Sequence, residues 1–398
     1  MTKGILSGYK ILDLTSVVLG PFATQMLGDM GADVIKIETP TGDIMRHAGP
    51  MRNPGMGSIY LTINRNKRSM TLDIAKPEAK KILRQLIAEA DVFFHNIRAA
   101  GMARLGFDYE SVKALKEDMI YVHAVGFGSG GHYAGRQAYD DLVQAASGVT
   151  TMLPRQDGSK APRYIPGLVA DKTTGLFAAN AILAGLLHRE RTGEGQFIEV
   201  PMMECMVAFN MVENLFGHTF IPPKGSTAYS RSVSPNRRPY ATKDGYIAMM
   251  PYTDESWRRY FALGGMPELA DDPRFKTYAA RTENIDEIYR LTETIAAQRT
   301  TDEWMEVLKH ANVPCMRVHS LESVLEDPQI KDTGLVEARH HPSEGDYLAI
   351  HHPVKYSAGK MDIDREPPLQ GADTDAILHE LGWNEEEIVS ARENGAIN

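Results

Sequence analysis

KILDLTSVVLGPFATQMLGDMGADVIKIE, residues 10–38, decides the fold. Its two ends, residues 10–14 and 34–38, are short runs rich in Val, Ile and Leu. Between them, residues 22–30 carry apolar side chains at helical spacing. Two short strands, apolar on both faces and joined by a helix, read as one βαβ unit. The alternation continues outward from there. Residues 70–73, 92–95 and 120–125 are further strand-like runs. Residues 78–90 read as a helix, entered at Pro77, a residue that a first helical turn tolerates. Buried parallel strands alternating with amphipathic helices predict an α/β fold with a Rossmann-like open parallel sheet.

Beyond this region, residues 167–188 read as a largely buried helix with its lead-in. The turn RTGEGQ (191–196), a strand at 197–200 and an apolar helix at 203–216 follow. Residues 221–239, rich in Pro, Ser and Arg, read as a crossing or linker segment. The character then changes. Residues 240–250 predict a hairpin around Lys243-Asp244-Gly245, with helices at 255–263, 285–298 and 301–311. This is the pattern of a smaller α+β domain, roughly 225–330. The tail returns to a strand-like run at 347–354 and helices at 373–381 and 384–393. No internal repeat or low-complexity tract is visible.

The chain has 398 residues and a formal net charge of -9; 43% of its residues are hydrophobic and 24% charged, which excludes a wholly disordered chain. Its two cysteines, Cys205 and Cys315, exclude a disulfide scaffold and a cysteine zinc site, and point to a reducing, cytoplasmic setting. The start, MTKGILSGYKILDL, lacks the apolar core of a secretory signal. The longest apolar stretch, residues 176–187, is interrupted by Asn180 and is too short to span a bilayer. An acidic chain is a poor prospect for nucleic-acid binding, so any anionic ligand must be held by local basic residues.

Asp171 stands out first, in GLVADKTTGLFAANAILAGLL, directly before an apolar helix. A carboxylate there is kept ionised by unpaired N–H groups and the helix dipole, and is an N-cap, a nucleophile, or both. Gly126, Gly128 and Gly131 fit GxGxxG, but they do not open a helix and they follow about the fifth strand; a flexible turn fits them as well. Arg136, Tyr139, Asp140 and Asp141 form a polar cluster entering the next helix, where the two acids suit its first turn. Asn64, Lys67 and Arg68 precede the third strand. Asn96, Arg98 and Arg104 follow the fourth, at the carboxyl edge where open sheets bind ligands. Arg98 and Arg104 suit phosphates, or else a solvated basic surface. The pairs His340-His341 and His351-His352 lack metal-ligand spacing and read as a surface hairpin, so no metal is expected. Met202, Met203, Met206 and Met211 read as core.

Taken together, the chain resembles the class III coenzyme A transferases, the group of formyl-CoA and carnitine CoA-transferases that also contains the α-methylacyl-CoA racemases. The resemblance rests on residues 11–38, on Gly42-Asp43 with Arg46, and on NRNKRSMTLDI (64–74), HNIRAAGMARLGFDYE (95–110) and YDDLVQAASG (139–148). ADKTTG (170–175), GEGQFIEV (193–200), YATKDGYI (240–247) and NVPC (312–315) complete it. It implies a large Rossmann-like domain built from residues 1–216 and 331–398, a crossing at 217–239 and a small α+β domain at 240–330. It also implies an interlocked homodimer. Asp171 matches the catalytic carboxylate. The coenzyme A positions fall on Val18, Leu19, Leu72, Asp73, Ile74, Ala75, Asn96, Ile97, Arg98, Arg104, Arg136, Gln137, Ala138 and Tyr139.

The family member best matched in motif order has Gln at Val18, a basic residue at Gln137, Arg at Thr39, and a glycine run where this chain reads VSPNRRPY (233–240). Racemases of the family carry His-Asp where this chain has Tyr139-Asp140, which favours the transferase. The expected activity is transfer of coenzyme A from an acyl-CoA to a small carboxylate or dicarboxylate through acylated Asp171, with no tightly bound cofactor and no nucleic-acid or membrane partner. The alternatives are an α-methylacyl-CoA racemase, a nicotinamide-dependent oxidoreductase using GFGSGG, and an inactive CoA-binding protein.

Overall fold

The structure is a computed structural model that describes residues 4–398; residues 1–3, the start of the expected large domain, lie outside the described residues. Six strands, Lys10–Leu14 (β1), Asp33–Glu38 (β2), Lys67–Thr71 (β3), Val92–His95 (β4), Ile120–Val125 (β5) and Gln196–Pro201 (β6), form one sheet in the order β3-β2-β1-β4-β5-β6. Every pairing in it is parallel. This is the α/β sheet expected from residues 10–38. Its strand order reverses between β1 and β4, and there the chain leaves the sheet in opposite directions and opens a crevice at the carboxyl edge.

Side chains alternate across each strand, so the two faces differ in chemistry. One face carries Leu12, Leu14, Ile35, Ile37 and Phe93, packed against Ile82, Leu83 and Leu86 of the helix Pro77–Glu89. Leu378, Trp383 and Ile388 from the C-terminal segment join the same core. The other face is partly ionic. Lys67, Asp13 and Lys36 lie on it, and all three are buried.

The ladder register corrects the expected start of β3. Lys67 and Arg68 were placed ahead of the strand, but both are in it. Lys67 Nζ donates to Asp13 Oδ2 at 3.1 Å, Asn64 Oδ1 at 2.9 Å and the Pro21 carbonyl at 2.9 Å. Arg68 reaches Asp33 and Glu380. Partners from distant parts of the chain let charged residues occupy a buried strand.

The chain divides into two compact units. The first comprises residues up to Ser147, Ile165–Phe209 and Gln329–Asn398; the second comprises Gly148–Tyr164 and Asn210–Pro328. Within the first, the helices Leu19–Asp29 and Val169–Thr192 approach closely. A Cβ on Gly175 would lie 2.8 Å from the Leu19 carbonyl oxygen, so only glycine admits this approach.

In the second unit, Tyr240–Ala241 (β7) and Tyr246–Met249 (β8) form the hairpin expected around residues 243–245. A short strand absent from the sequence reading, Cys315–Arg317 (β9), adds to β8. The helices Asp254–Leu263, Ile285–Ala296 and Thr301–His310 contribute Phe261, Ile288, Ile295 and Trp304 to the unit's own core. Residues 220–239 carry neither helix nor strand.

The expected surface histidine hairpin holds only in part: Val336–His341 pairs antiparallel with Gly345–Ile350 and His340 Nδ1 lies 2.8 Å from Asp346 Oδ1, but His341 is buried against the Pro367 carbonyl and His351-His352 follow the ladder. No group of three or more metal-ligating side chains occurs among the described residues. Nor is any described helix long and apolar enough to cross a membrane.

Candidate active site

The crevice at the β1/β4 switch point is stitched by one side chain. Asn96, after β4, accepts from the Ser16 N–H through Oδ1 at 3.2 Å and donates through Nδ2 to the Ser16 carbonyl at 3.0 Å. The next residue, Val17, has φ +73°, a conformation that costs a β-branched residue about 1–3 kcal/mol. Its N–H is held by Asp43 Oδ1 at 3.2 Å. Asp43 is in turn fixed by Lys36 Nζ at 2.9 Å, and Lys36 also donates to the Thr15 carbonyl at 3.0 Å. The buried ions beneath the sheet edge therefore set the path of residues 15–17.

A cavity of about 700 Å³ opens above this loop. Of the coenzyme A positions expected from the sequence, Leu19, Asn96, Arg98, Arg136, Gln137, Ala138 and Tyr139 line it, and so does Asp171. Val18 is buried as the first flanking residue of the helix Leu19–Asp29 and is not in the wall. Leu72, Asp73, Ile74 and Ala75 follow β3, where the Asp73 N–H donates to the Ala396 carbonyl at 2.9 Å. Ile97 turns its carbonyl toward two histidines, and Arg104 is exposed on the helix Ala99–Leu105. Arg98 and Arg136 are exposed at the cavity, and Arg136 lies 4.6 Å over the Tyr133 ring.

Asp171 is the third residue of the helix Val169–Thr192, and not its cap. The cap comes from Asp140, thirty-one residues earlier, whose Oδ1 accepts from the Ala170 N–H at 2.8 Å and the Asp171 N–H at 2.9 Å. Gln144 steadies Asp140 through Oδ2 at 2.7 Å. The expectation that helix N–H groups keep Asp171 ionised is therefore corrected. Burial, and then the Asp140 charge, push its carboxyl up from the ordinary 3.8 to about 7. No protein group among the described residues hydrogen-bonds its carboxyl oxygens, and it is 9% exposed, at the cavity wall. Such a carboxylate is poorly solvated, unshared and basic, which are the properties of a nucleophile.

The glycine segment forms turns and opens no helix, as the sequence suggests, and its N–H groups find partners inside the chain. Gly126 packs where a Cβ would stand 2.2 Å from the Ala138 Cβ, which lets the loop fold back on itself. The Gly128 N–H donates to Glu204 Oε1 at 3.0 Å and the Ser129 N–H to Glu199 Oε1 at 2.9 Å. Two carboxylates thus hold the donors that a dinucleotide pyrophosphate would need. The same contacts occupy the Gly128 and Ser129 N–H groups, as Asp140 occupies those of Ala170 and Asp171.

Several wall residues were not singled out from sequence. His123 is 4.3 Å from His95, ring to ring, and its Nε2 lies 2.8 Å from the Ile97 carbonyl. Because a carbonyl only accepts, that nitrogen carries the proton and Nδ1 is bare. Burial lowers the pKa of His123 and keeps it neutral. A histidine inside the apolar strand YVHAV was the available signal; the strain at Val17 had none.

The CoA-transferase family III pattern matches residues 6–374. A succinyl-CoA:glutarate CoA-transferase of Homo sapiens is 33% identical over 381 residues, covering 94% of this chain and 86% of that one. A formyl-CoA:oxalate CoA-transferase of Streptomyces avermitilis is 32% identical over 421 residues, covering both chains fully. Among solved structures, a CAIB/BAIF family protein from Brucella suis superimposes with a TM-score of 0.79 at 31% identity, covering 96% of this chain and 100% of that one. With its parallel sheet, its crevice and these matches, the chain belongs to CoA-transferase family III and is a class III CoA-transferase.

Proposed function

We propose that this enzyme moves coenzyme A from an acyl-CoA to a small carboxylate or dicarboxylate by way of acylated Asp171. The observation that carries the reading is the bare, largely desolvated Asp171 carboxyl in the wall of a cavity that also presents Arg98 and Arg136. Ionised Asp171 attacks the thioester carbonyl, the C–S bond breaks, and an aspartyl mixed anhydride and coenzyme A thiolate form. The thiolate attacks the aspartyl carbonyl, giving an aspartyl thioester and releasing the donor acid. The acceptor carboxylate displaces the thiolate to form a second anhydride. The thiolate then attacks the acceptor acyl carbon, and Asp171 leaves as a carboxylate. Each step conserves the energy of the thioester.

Val18, Leu19, Leu72–Ala75, Asn96–Arg98, Arg104 and Arg136–Tyr139 are the proposed coenzyme A contacts, with the arginines toward the phosphates. The helix Leu19–Asp29 has no side-chain cap and no acid in its first turn, and its first residue lines the cavity. The N–H groups of Leu19 and Gly20 are the proposed oxyanion donors, since Pro21 has none and the Phe22 N–H is held by the Val18 carbonyl. The names of the human and Streptomyces relatives support a small acid as acceptor. Exposed Leu176, Phe177 and Leu187 on the helix Val169–Thr192 support a second copy as the cover of that surface, in an interlocked homodimer.

A matrix of acyl-CoA donors and acids, read by mass spectrometry of the coenzyme A products, tests the reading. Coenzyme A is expected to appear on the acceptor only when both substrates are present. Deuterium entering the α-position of a branched acyl-CoA, with no acid added and no transfer in any pairing, would establish the racemase instead.

A further inference from the structure

The steps proposed above leave His123 unused, yet its side chain lies in the wall of the cavity that holds Asp171. It stands on β5, is 6% exposed, and stacks on His95 with ring centroids 4.3 Å apart. Its Nε2 proton is committed to the Ile97 carbonyl at 2.8 Å, so Nδ1 presents a lone pair. Among the described residues nothing donates to that lone pair, and Nδ1 is not one of the unpartnered atoms sealed from solvent. The opening it adjoins is the cavity whose wall it forms.

Other polar groups of the wall are poor acceptors. Asn96 uses both ends of its amide on Ser16. Arg98 and Arg136 only donate. A ligand that brings N–H groups into this cavity leaves them unpaired, at a cost, unless the wall supplies an acceptor. The argument rests on the transfer reading for the identity of that ligand. If a thioester carbon reaches Asp171, the atoms drawn in behind its sulfur are the pantetheine arm, with its amides. The phosphates stay with the exposed Arg98 and Arg136. We propose that His123 is a coenzyme A-binding residue whose Nδ1 accepts a hydrogen bond from an amide N–H of the pantetheine arm. The His95 stack holds the ring, and the Ile97 carbonyl fixes which nitrogen meets the ligand.

The test is calorimetric titration of the full-length protein with coenzyme A, comparing two variants. In His123→Asn an amide oxygen can stand where Nδ1 stands, but the side chain is too short to reach Ile97. In His123→Gln the amide nitrogen can still donate to Ile97, and nothing replaces Nδ1. His123→Gln is expected to bind coenzyme A about fivefold or more weakly than the parent, the worth of one hydrogen bond, and His123→Asn to stay within about twofold of it. Equal affinity in all three proteins, equal loss in both variants, or loss in His123→Asn alone overturns the proposal. The last result would mean that His123 acts only by holding Ile97. Coenzyme A analogues with each pantetheine amide N–H replaced in turn by CH2 read the same bond from the ligand side, even where a variant folds poorly. One analogue is expected to bind the parent about fivefold more weakly than coenzyme A; if neither does, the proposal fails. Binding needs no turnover, so the expected pattern in a protein that moves coenzyme A to no acid would uphold this bond and overturn the transfer reading alone.

Discussion

Asp171→Ala is expected to abolish coenzyme A transfer, with a loss of at least about 1000-fold in kcat, or about 4 kcal/mol of barrier. Acyl-CoA should still bind, because the carboxylate is one atom group in a cavity that Leu19, Asn96, Arg98 and residues 136–139 also line. Asp171→Asn should be equally inactive, since an amide cannot form the anhydride. It should also be more stable than the parent. Burial and Asp140 raise the Asp171 carboxyl from 3.8 to about 7 in the folded chain, so the folded state binds its proton more tightly than the unfolded state does. Parent stability therefore falls as pH rises from about 4 to about 7 and levels off above that. The Asn variant escapes this cost. Its advantage should grow across the same window to on the order of 1–3 kcal/mol, read by urea unfolding. Full transfer by the Ala variant would remove Asp171 from the mechanism. An Asn advantage that does not change with pH would remove the charge argument.

The second large effect is on the fold. Asp13 is fully buried and receives Thr15 N–H at 2.9 Å, Thr24 Oγ1 at 2.6 Å and Lys67 Nζ at 3.1 Å. Burial alone would raise its pKa. The Lys67 and Lys36 charges, with the two threonine hydroxyls, outweigh burial and hold it at about 2. Burial pulls Lys67 down to about 8, so both partners remain charged at neutral pH. Asp13→Ala leaves Lys67 with no carboxylate partner inside the sheet and should destabilise the protein by about 3–5 kcal/mol. Asp13→Ala combined with Lys67→Met should recover much of that loss, because the orphaned charge is gone. Denaturant unfolding of the single and double variants checks this. A single variant within about 0.5 kcal/mol of the parent would mean the pair is not structural.

The apolar strands were legible because burial on both faces leaves a run of Val, Ile and Leu that little else explains. β1, β4 and β5 follow directly from such runs. The start of β3 was not legible, since Lys67-Arg68-Ser69 reads as polar until Asp13, Asp33 and Glu380 are brought beside it. The Gly42-Asp43 and Arg46 motif was visible only as a pattern. In the structure, Asp43 anchors Val17 and Arg46 binds Glu38 through two nitrogens, at 2.7 and 2.6 Å. Asp171 was legible as an acid at the head of an apolar helix. Its electrostatic state was not, because Asp140 takes the N–H groups that local sequence assigns to Asp171 itself. The glycine segment was likewise legible as a turn, whereas its partners, Glu199 and Glu204, come from β6 and the helix after it.

The most direct measurement is chemical trapping during turnover. With the donor and acceptor identified by the product matrix, the enzyme is incubated with acyl-CoA, quenched with hydroxylamine, digested and read by mass spectrometry. An acylated carboxylate becomes a hydroxamate, so the peptide containing residue 171 should carry that label only after exposure to acyl-CoA. An enzyme that turns over while Asp171 stays unlabelled contradicts the account.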